Sequence, residues 1–291
     1  MDEKEVRRAR CISWCTSCPC ALHAPVGLIF KLCGYWWTTR QATFALKILK
    51  PSGKHLARQA QKSLLLVILC IAAASIFLLI SLPKLPTRID LGDYEVSFVL
   101  AMVFPLAGIW YYWKRYRDSK MGVEGENMVT QVLKSKLNDD YYLVNDVLYI
   151  NDRGNKENID HVVLGPKGVF AIETKHYRGK VTYKSGFWRV PFPLKRSPSS
   201  QAKGNAFWVN KAIKASGVFE TLKVWVEPIV VFSNPDVKLD VVDPEVKVVT
   251  LDKLVNSITS YDNGYSFSPE QLRLMGEGIL KQVSQATKES G

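Results

Sequence analysis

The chain is short of the residues that most enzyme chemistries need. It has four histidines and six cysteines in 291 residues, and no cysteine after Cys70. No His-Glu-x-x-His pair occurs, which excludes the helix-borne zinc hydrolase arrangement. No glycine-rich phosphate loop and no Gly-x-Ser-x-Gly turn occur either, so nucleotide-cradling folds and the serine-hydrolase elbow are excluded. Five of the six cysteines (Cys11, Cys15, Cys18, Cys20 and Cys33) crowd the N-terminal region, and a second Cys-x-x-Cys is missing. Cys11, Cys15, Cys18 and Cys33, with Cys20 or His23 as substitutes, can build a tetrahedral Zn²⁺ site. Juxtamembrane palmitoylation and plain reduced thiols are the other readings. Acidic residues are outnumbered, 27 against 39 Lys and Arg, for a net charge of +12.

Long uncharged runs are present. Ser63 to Leu82 carries no charge and is long enough to cross a bilayer. Val96 to Trp113 is a second such run, interrupted by Pro105 and Gly108, which membrane helices tolerate, and it ends in the aromatic stretch Trp110 to Trp113 before Lys114-Arg115. Residues 1–62 hold 11 Lys and Arg against 3 acids. The positive-inside rule therefore places both termini in the cytoplasm and the short loop 83–95 outside, as in a multi-pass protein of a bacterial-type inner or plasma membrane. The first run begins too far from the N-terminus for a cleaved signal peptide. Residues 26–50, apolar with interspersed Lys31, Arg40, Lys47 and Lys50, read as an amphipathic interfacial segment, and the basic N-terminal region suits anionic lipid as readily as DNA.

The most informative stretch is 159–175. Two apolar strands flank Gly165-Pro166-Lys167-Gly168, which fits a type I turn. If Gly165 pairs with Gly168, Leu164 faces Val169, Val162 faces Ala171 and Asp160 faces Glu173. Lys175 then shares a face with Glu173, because strand side chains alternate. Opposed carboxylates repel across a strand pair, and a hard divalent cation such as Mg²⁺ or Mn²⁺ relieves that repulsion. His161 points away from Asp160, which suggests a structural role.

The spacing of Asp160 and Glu173-Thr174-Lys175 resembles the signature of the PD-(D/E)XK nuclease superfamily. Residues 120–235 more closely resemble the nuclease-related domain, NERD. The resemblance is carried by Gly125-Glu126, the Tyr141–Ile150 strand, Ile159-Asp160-His161, Gly168 to Lys175, Tyr177-Arg178-Gly179, and Ser197-Pro198-Ser199-Ser200-Gln201, where the family usually has Asn in place of Ser197. It implies a metal held by Asp160 and Glu173, with Lys175 as the catalytic lysine. Glu126 would complete the metal site or orient a water; as an acid at a helix N-terminus it would instead serve the macrodipole. Gln201 would contact substrate or the site water, or lie on a helix surface. The implied fold class is α+β or α/β: a restriction-endonuclease-like αβββαβ core preceded by a two-helix transmembrane hairpin.

The expected organisation is a basic N-terminal region (1–62), a transmembrane hairpin (63–113, with spans 63–82 and 96–113), the nuclease-like domain (120–235), and a C-terminal strand and helix (236–291). Within it, 124–137 reads as a helix, 181–190 as a third antiparallel strand, 227–233 and 246–251 as strands, and 268–284 as a helix capped by Ser268 before Pro269. The basic loop 191–211, with Lys195, Arg196, Lys203 and Lys211 among Phe192, Phe207 and Trp208, suits phosphate contact and stacking unless its aromatics tuck into the core, and the family resemblance implies DNA more than RNA as the partner. Three functions fit: a membrane-anchored, metal-dependent nuclease, a non-cleaving tethered binding module of the same fold, and a membrane scaffold served by the Cys-rich region.

Overall fold

The computed structural model describes residues 46–50, 54–81, 95–215, 217 and 224–288. The chain divides into two units, Met1–Ala45 and Leu46–Gly291, and the second is described here. The N-terminal cysteines, the basic segment before residue 46 and the loop 83–94 lie outside the described residues.

The elements run β1 (Lys47–Lys50), α1 (Lys54–Ser81), α2 (Glu95–Lys136), β2 (Tyr142–Ile150), β3 (Lys156–Gly165), β4 (Gly168–Lys175), β5 (Gly179–Lys184), β6 (Phe187–Arg189), α3 (Pro198–Ala215), β7 (Val226–Phe232), β8 (Val237–Val241), β9 (Lys247–Thr250), α4 (Leu251–Thr259) and α5 (Pro269–Lys288). Six strands form the main sheet in the order β1-β2-β3-β4-β7-β9. β2, β3 and β4 are an antiparallel meander, whereas β4, β7 and β9 are parallel to one another. Helices cover both faces. Val209 and Ile213 of α3 and Met275 and Ile279 of α5 bury one face; Val129 and Leu133 of α2 and Leu254 and Ile258 of α4 bury the other. β7 lies inside the sheet under helices on both sides, which accounts for its unbroken apolar run Ile229 to Phe232. The helix–three strands–helix–strand order of the core is thus α2, β2–β4, α3, β7.

Several expectations change. Residues 181–190 are not the third antiparallel strand of this sheet. Ser185 and Gly186 take positive φ (50° and 85°), so the segment folds back as the β5–β6 hairpin and joins β8 in a separate three-stranded sheet. β4 supplies the third strand instead. The helix expected over 124–137 does not begin there: α2 runs unbroken for 42 residues through Pro105. Leu46 and Leu49, expected at a membrane interface, serve the sheet. Lys47 N–H donates to Tyr141 O, Leu46 is buried, and Leu49 packs onto the α5 face. The expected cap of α5 is present: Gln271 N–H donates to Ser268 Oγ at 3.2 Å and the Gln271 side chain accepts from Ser268 N–H at 2.8 Å.

α1 and α2 pack as an antiparallel pair. An added methyl at Gly122 would lie 3.2 Å from Leu56 Cδ1, and one at Gly108 would lie 3.1 Å from Cys70 Sγ, so these glycines let the helices approach. Among the described residues only α1, over Leu56–Ile80, is long and apolar enough to cross a membrane. The expected hairpin is therefore a packed helix pair of which one member passes that test; α2 joins an apolar first half to a charged second half inside one helix.

Candidate functional site

The turn between β3 and β4 sets the site's register. Gly165 pairs with Gly168, Leu164 with Val169, Val162 with Ala171 and His161 with Ile172. Both glycines are required by neighbours rather than by φ. A methyl at Gly165 would meet the Tyr141 ring, and one at Gly168 would lie 2.7 Å from the Tyr261 ring. The ladder stops one residue before Asp160 and Glu173. At that point Asp160 Oδ2 instead accepts the backbone N–H of Thr174 at 2.6 Å.

The cause is a slip in strand alternation. On β2, Val144 and then Val147 enter the same core cluster, and on β3 Ile159 and then Val162 do the same. A strict two-residue period would put each pair on opposite faces. The slip falls on Asn145-Asp146 and Asp160-His161, where the β2–β3 ladder omits a pair. Asp146 sits there with φ 54°, a left-handed conformation that Asp and Asn adopt more readily than other side-chain-bearing residues. Register thus lines up Asp146, Asp160 and Glu173 in one row across three strands.

The other groups converge on this row. Lys175 Nζ donates to Glu173 Oε1 at 2.7 Å and to Gln201 Oε1 at 2.9 Å. Asn205, one turn after Gln201 on α3, donates from Nδ2 to Glu173 Oε2 at 2.8 Å. Ser197, in the usual Asn position, precedes Pro198 at the helix start, and its carbonyl accepts Gln201 N–H. Lys50 of β1 donates to the Asp146 carbonyl. Glu126 comes from α2 and is buried. Because that helix starts 31 residues earlier, Glu126 is no helix-terminal acid, and the macrodipole reading falls.

Burial and like charge dominate the electrostatics. Burial, then Asp146 and Glu173, push Glu126 up to about 8. Burial, then Glu173 and Glu126, hold Asp160 well above the usual carboxylate range, against the pull of Lys175 and the Thr174 N–H. Burial would lower Lys175, but Glu173, Tyr177 and Asp160 outweigh it and its pKa rises. His161 is fully buried, shares a 2.8 Å hydrogen bond with Asn145, and is pulled by burial down to about 3, so it is neutral and structural, as expected.

Among the described residues no three His, Cys, Asp or Glu side chains are gathered closely enough to ligate one ion. The hydrogen bonds explain the spread: Lys175 and Asn205 take both oxygens of Glu173, and the Thr174 N–H takes one of Asp160. The donor chemistry nevertheless fits a hard divalent cation, since Asp160 and Glu173 both act on Lys175, and Glu126 and Asp160 are raised by burial and then by neighbouring carboxylates.

The basic segment differs from its expectation. Residues 198–211 are helix, and three of the four cations are paired: Arg196 with Glu157, Lys203 with Glu245 and Lys211 with Asp152. Trp208 packs against Tyr149 with ring centroids 4.8 Å apart, whereas Phe192 and Phe207 remain exposed. Asp146 and Asn205 are the site residues that the sequence reading missed. Each carried a signal: a lone acid inside an apolar strand, and an amide one helical turn beyond Gln201.

Gly125 fixes where Glu126 stands. A methyl there would lie 2.8 Å from both His176 Cβ and Ser233 Oγ. His176 Nδ1 is 2.9 Å from Ser233 Oγ, its Nε2 is 3.1 Å from Asn234 Nδ2, and Ser233 N–H donates to Lys175 O. This junction joins α2, β4 and β7 beside the site. Gly125→Ala should cost about 1–3 kcal/mol, because neither contact is the free end of a flexible chain. A melting temperature equal to wild type would show that α2 can shift freely.

The family described as Nuclease-related domain (NERD) matches residues 121–233. An uncharacterized protein of Bacillus anthracis is 31% identical over 101 residues, covering 34% of this chain and 46% of that protein. The chain thus spans less than half the length of the curated relative it matches. No solved structure matches. The match covers less than half of the chain, and nucleic acid is, at that coarse level, the class of partner that a nuclease-related domain implies.

Proposed function

We propose that this chain is a membrane-anchored, metal-dependent nuclease that acts on DNA at the cytoplasmic face. The observation that carries the proposal is the carboxylate row with Lys175 hydrogen-bonded to Glu173 within it. Asp160 and Glu173, with Glu126 and Asp146 beside them, are the groups that would hold Mg²⁺ or Mn²⁺. Such an ion, when bound, activates a water and offsets phosphate charge. Lys175 is the group positioned to stabilise charge developing on the scissile phosphate. Gln201 holds the Lys175 ammonium, and Asn205 holds the Glu173 carboxylate, so α3 orients both groups.

Membrane anchoring is supported by the apolar α1 and its exposed Leu65, Ile68, Leu69 and Ile76. A second crossing through the first half of α2 is supported by strand pairing. β1 precedes α1, β2 follows α2, and the two are neighbours in one sheet, so the chain leaves and returns on the same side. The excess of Lys and Arg on that side favours the cytoplasm.

The test is cleavage of DNA and RNA by the full chain in detergent, with Mg²⁺, Mn²⁺ or chelator. The full chain is needed because starting at residue 120 would cut α2 and strip β1 from the sheet edge. Metal-dependent cleavage of DNA is expected. Tight DNA binding without cleavage under any condition would support the second reading, a tethered binding module. The ion pairs of Arg196, Lys203 and Lys211 leave that reading no stronger an electrostatic footprint than the first. The scaffold reading rests on the N-terminal cysteines, outside the described residues.

A further inference from the structure

Between the apolar surface of α1 and α2 and the nuclease-related domain lies a band of net positive charge that forms no ion pair among the described residues. The contacts Gly122–Leu56 and Gly108–Cys70 set the helices' register, which brings residues 58–64 of α1 level with residues 114–120 of α2. Arg58 and Lys62 on one helix and Lys114, Arg115, Arg117 and Lys120 on the other are all exposed, and Asp118 is the acid among them. Ion pairs elsewhere on the protein engage Lys167, Arg196, Lys203, Lys211 and Arg273, so lysines and arginines here are not short of partners in general.

The band sits at a boundary. On the side away from the domain the next turns expose Leu65, Ile68 and Leu69 on α1 and Trp110, Tyr111 and Trp113 on α2. Lys114 Nζ lies over the Trp110 ring at 5.7 Å. Aromatic rings followed by cations are how a helix meets the headgroup layer.

We infer that these six cations form a collar that binds anionic phospholipid headgroups of the bilayer in which the helices stand. The inference rests on the membrane reading of α1 and α2. Charge complementarity decides the occupant: a net positive ring at headgroup level selects anionic over zwitterionic lipid, with attraction that grows with each cation near the surface and falls within a Debye length in salt. Paired helices present the charges on a fixed frame.

Trp110 and Trp113 provide the readout. The full chain is reconstituted in mixed phosphatidylglycerol and phosphatidylcholine vesicles, with brominated acyl chains on one lipid or the other at equal mole fraction. Tryptophan quenching by brominated phosphatidylglycerol should exceed that by brominated phosphatidylcholine by about twofold or more. High salt should bring the two toward parity, as should R58Q/K62Q/R115Q/K120Q. Salt tests the wild type directly, so the inference does not depend on the variant's folding. Equal quenching in wild type at low salt would overturn the collar. Equal quenching together with weaker DNA retention by the variant would assign these cations to nucleic acid instead. Quenching by neither lipid would refute the membrane reading itself.

Discussion

Lys175→Ala should lower metal-dependent cleavage by about 10²–10³-fold, the cost of removing one preorganised electrostatic group. It should also destabilise the fold. In the structure the Lys175 side chain is 13% exposed and that of its partner Glu173 7%. Removing one member of a buried pair typically costs about 3–5 kcal/mol, because the other charge is left uncompensated. Asn205 remains to donate to Glu173, which places the expected loss at the lower end of that range. The double variant Lys175→Ala/Glu173→Gln separates the two effects. It removes both charges and should recover much of the melting temperature while staying inactive. Cleavage by Lys175→Ala at the wild-type rate would remove the lysine from the mechanism and point to another site or a contaminant.

The second large effect is on stability against pH. Glu126 is raised to about 8 from 4.5, so the folded state keeps a proton that the unfolded chain has lost. Its contribution is complete below pH 4.5 and is lost as pH rises through 8. His161 is lowered to about 3 from 6.5. Its penalty acts the other way: stability is lost as pH falls from 6.5 toward 3, where the unfolded chain takes up the proton first. The Glu126 and His161 slopes oppose each other between pH 4.5 and 6.5, and the raised Asp160 adds its own loss with rising pH, so stability measured in chelator should fall gently there and faster above pH 6.5. Glu126→Gln should leave stability near pH 4 unchanged and gain up to about 5 kcal/mol near pH 8.5. Mg²⁺ or Mn²⁺ should restore the wild type's alkaline stability by compensating the same carboxylates, with proton release, and should help Glu126→Gln less. Melting curves across pH, with and without metal, make the comparison. A wild-type profile that climbs steadily from pH 5 to 8 in chelator would contradict the assigned protonation of Glu126.

Much of the site was legible because it is local. The hairpin from Asp160 to Lys175 is a short run whose turn residues and apolar alternation fix its own register, and the ladder follows that register from Gly165–Gly168 to His161–Ile172. Gln201 was legible from its motif. Asp146 was not, because its place beside Asp160 depends on a slip in two strands at once, which no single-strand pattern contains. Asn205 acts through a contact 32 residues distant. The long-range errors have the same origin. The fate of 181–190 turned on two positive-φ residues, and that of 47–50 on a parallel pairing with a strand some 95 residues later. The start of α2 was misplaced because an apolar segment and an amphipathic one, each legible by itself, are joined without a break.

That join also sets a distance. At about 1.5 Å per residue, the stretch of α2 from Trp113 to Glu126 measures about 20 Å. One end of this rod is the last aromatic of the proposed span and the other is a side chain of the reactive row, with no hinge in between. In the proposed arrangement the reactive centre is therefore held at constant height over the lipid, as if on a post rather than a leash. In that arrangement a nucleic acid lying along the membrane would pass at the level where the row stands.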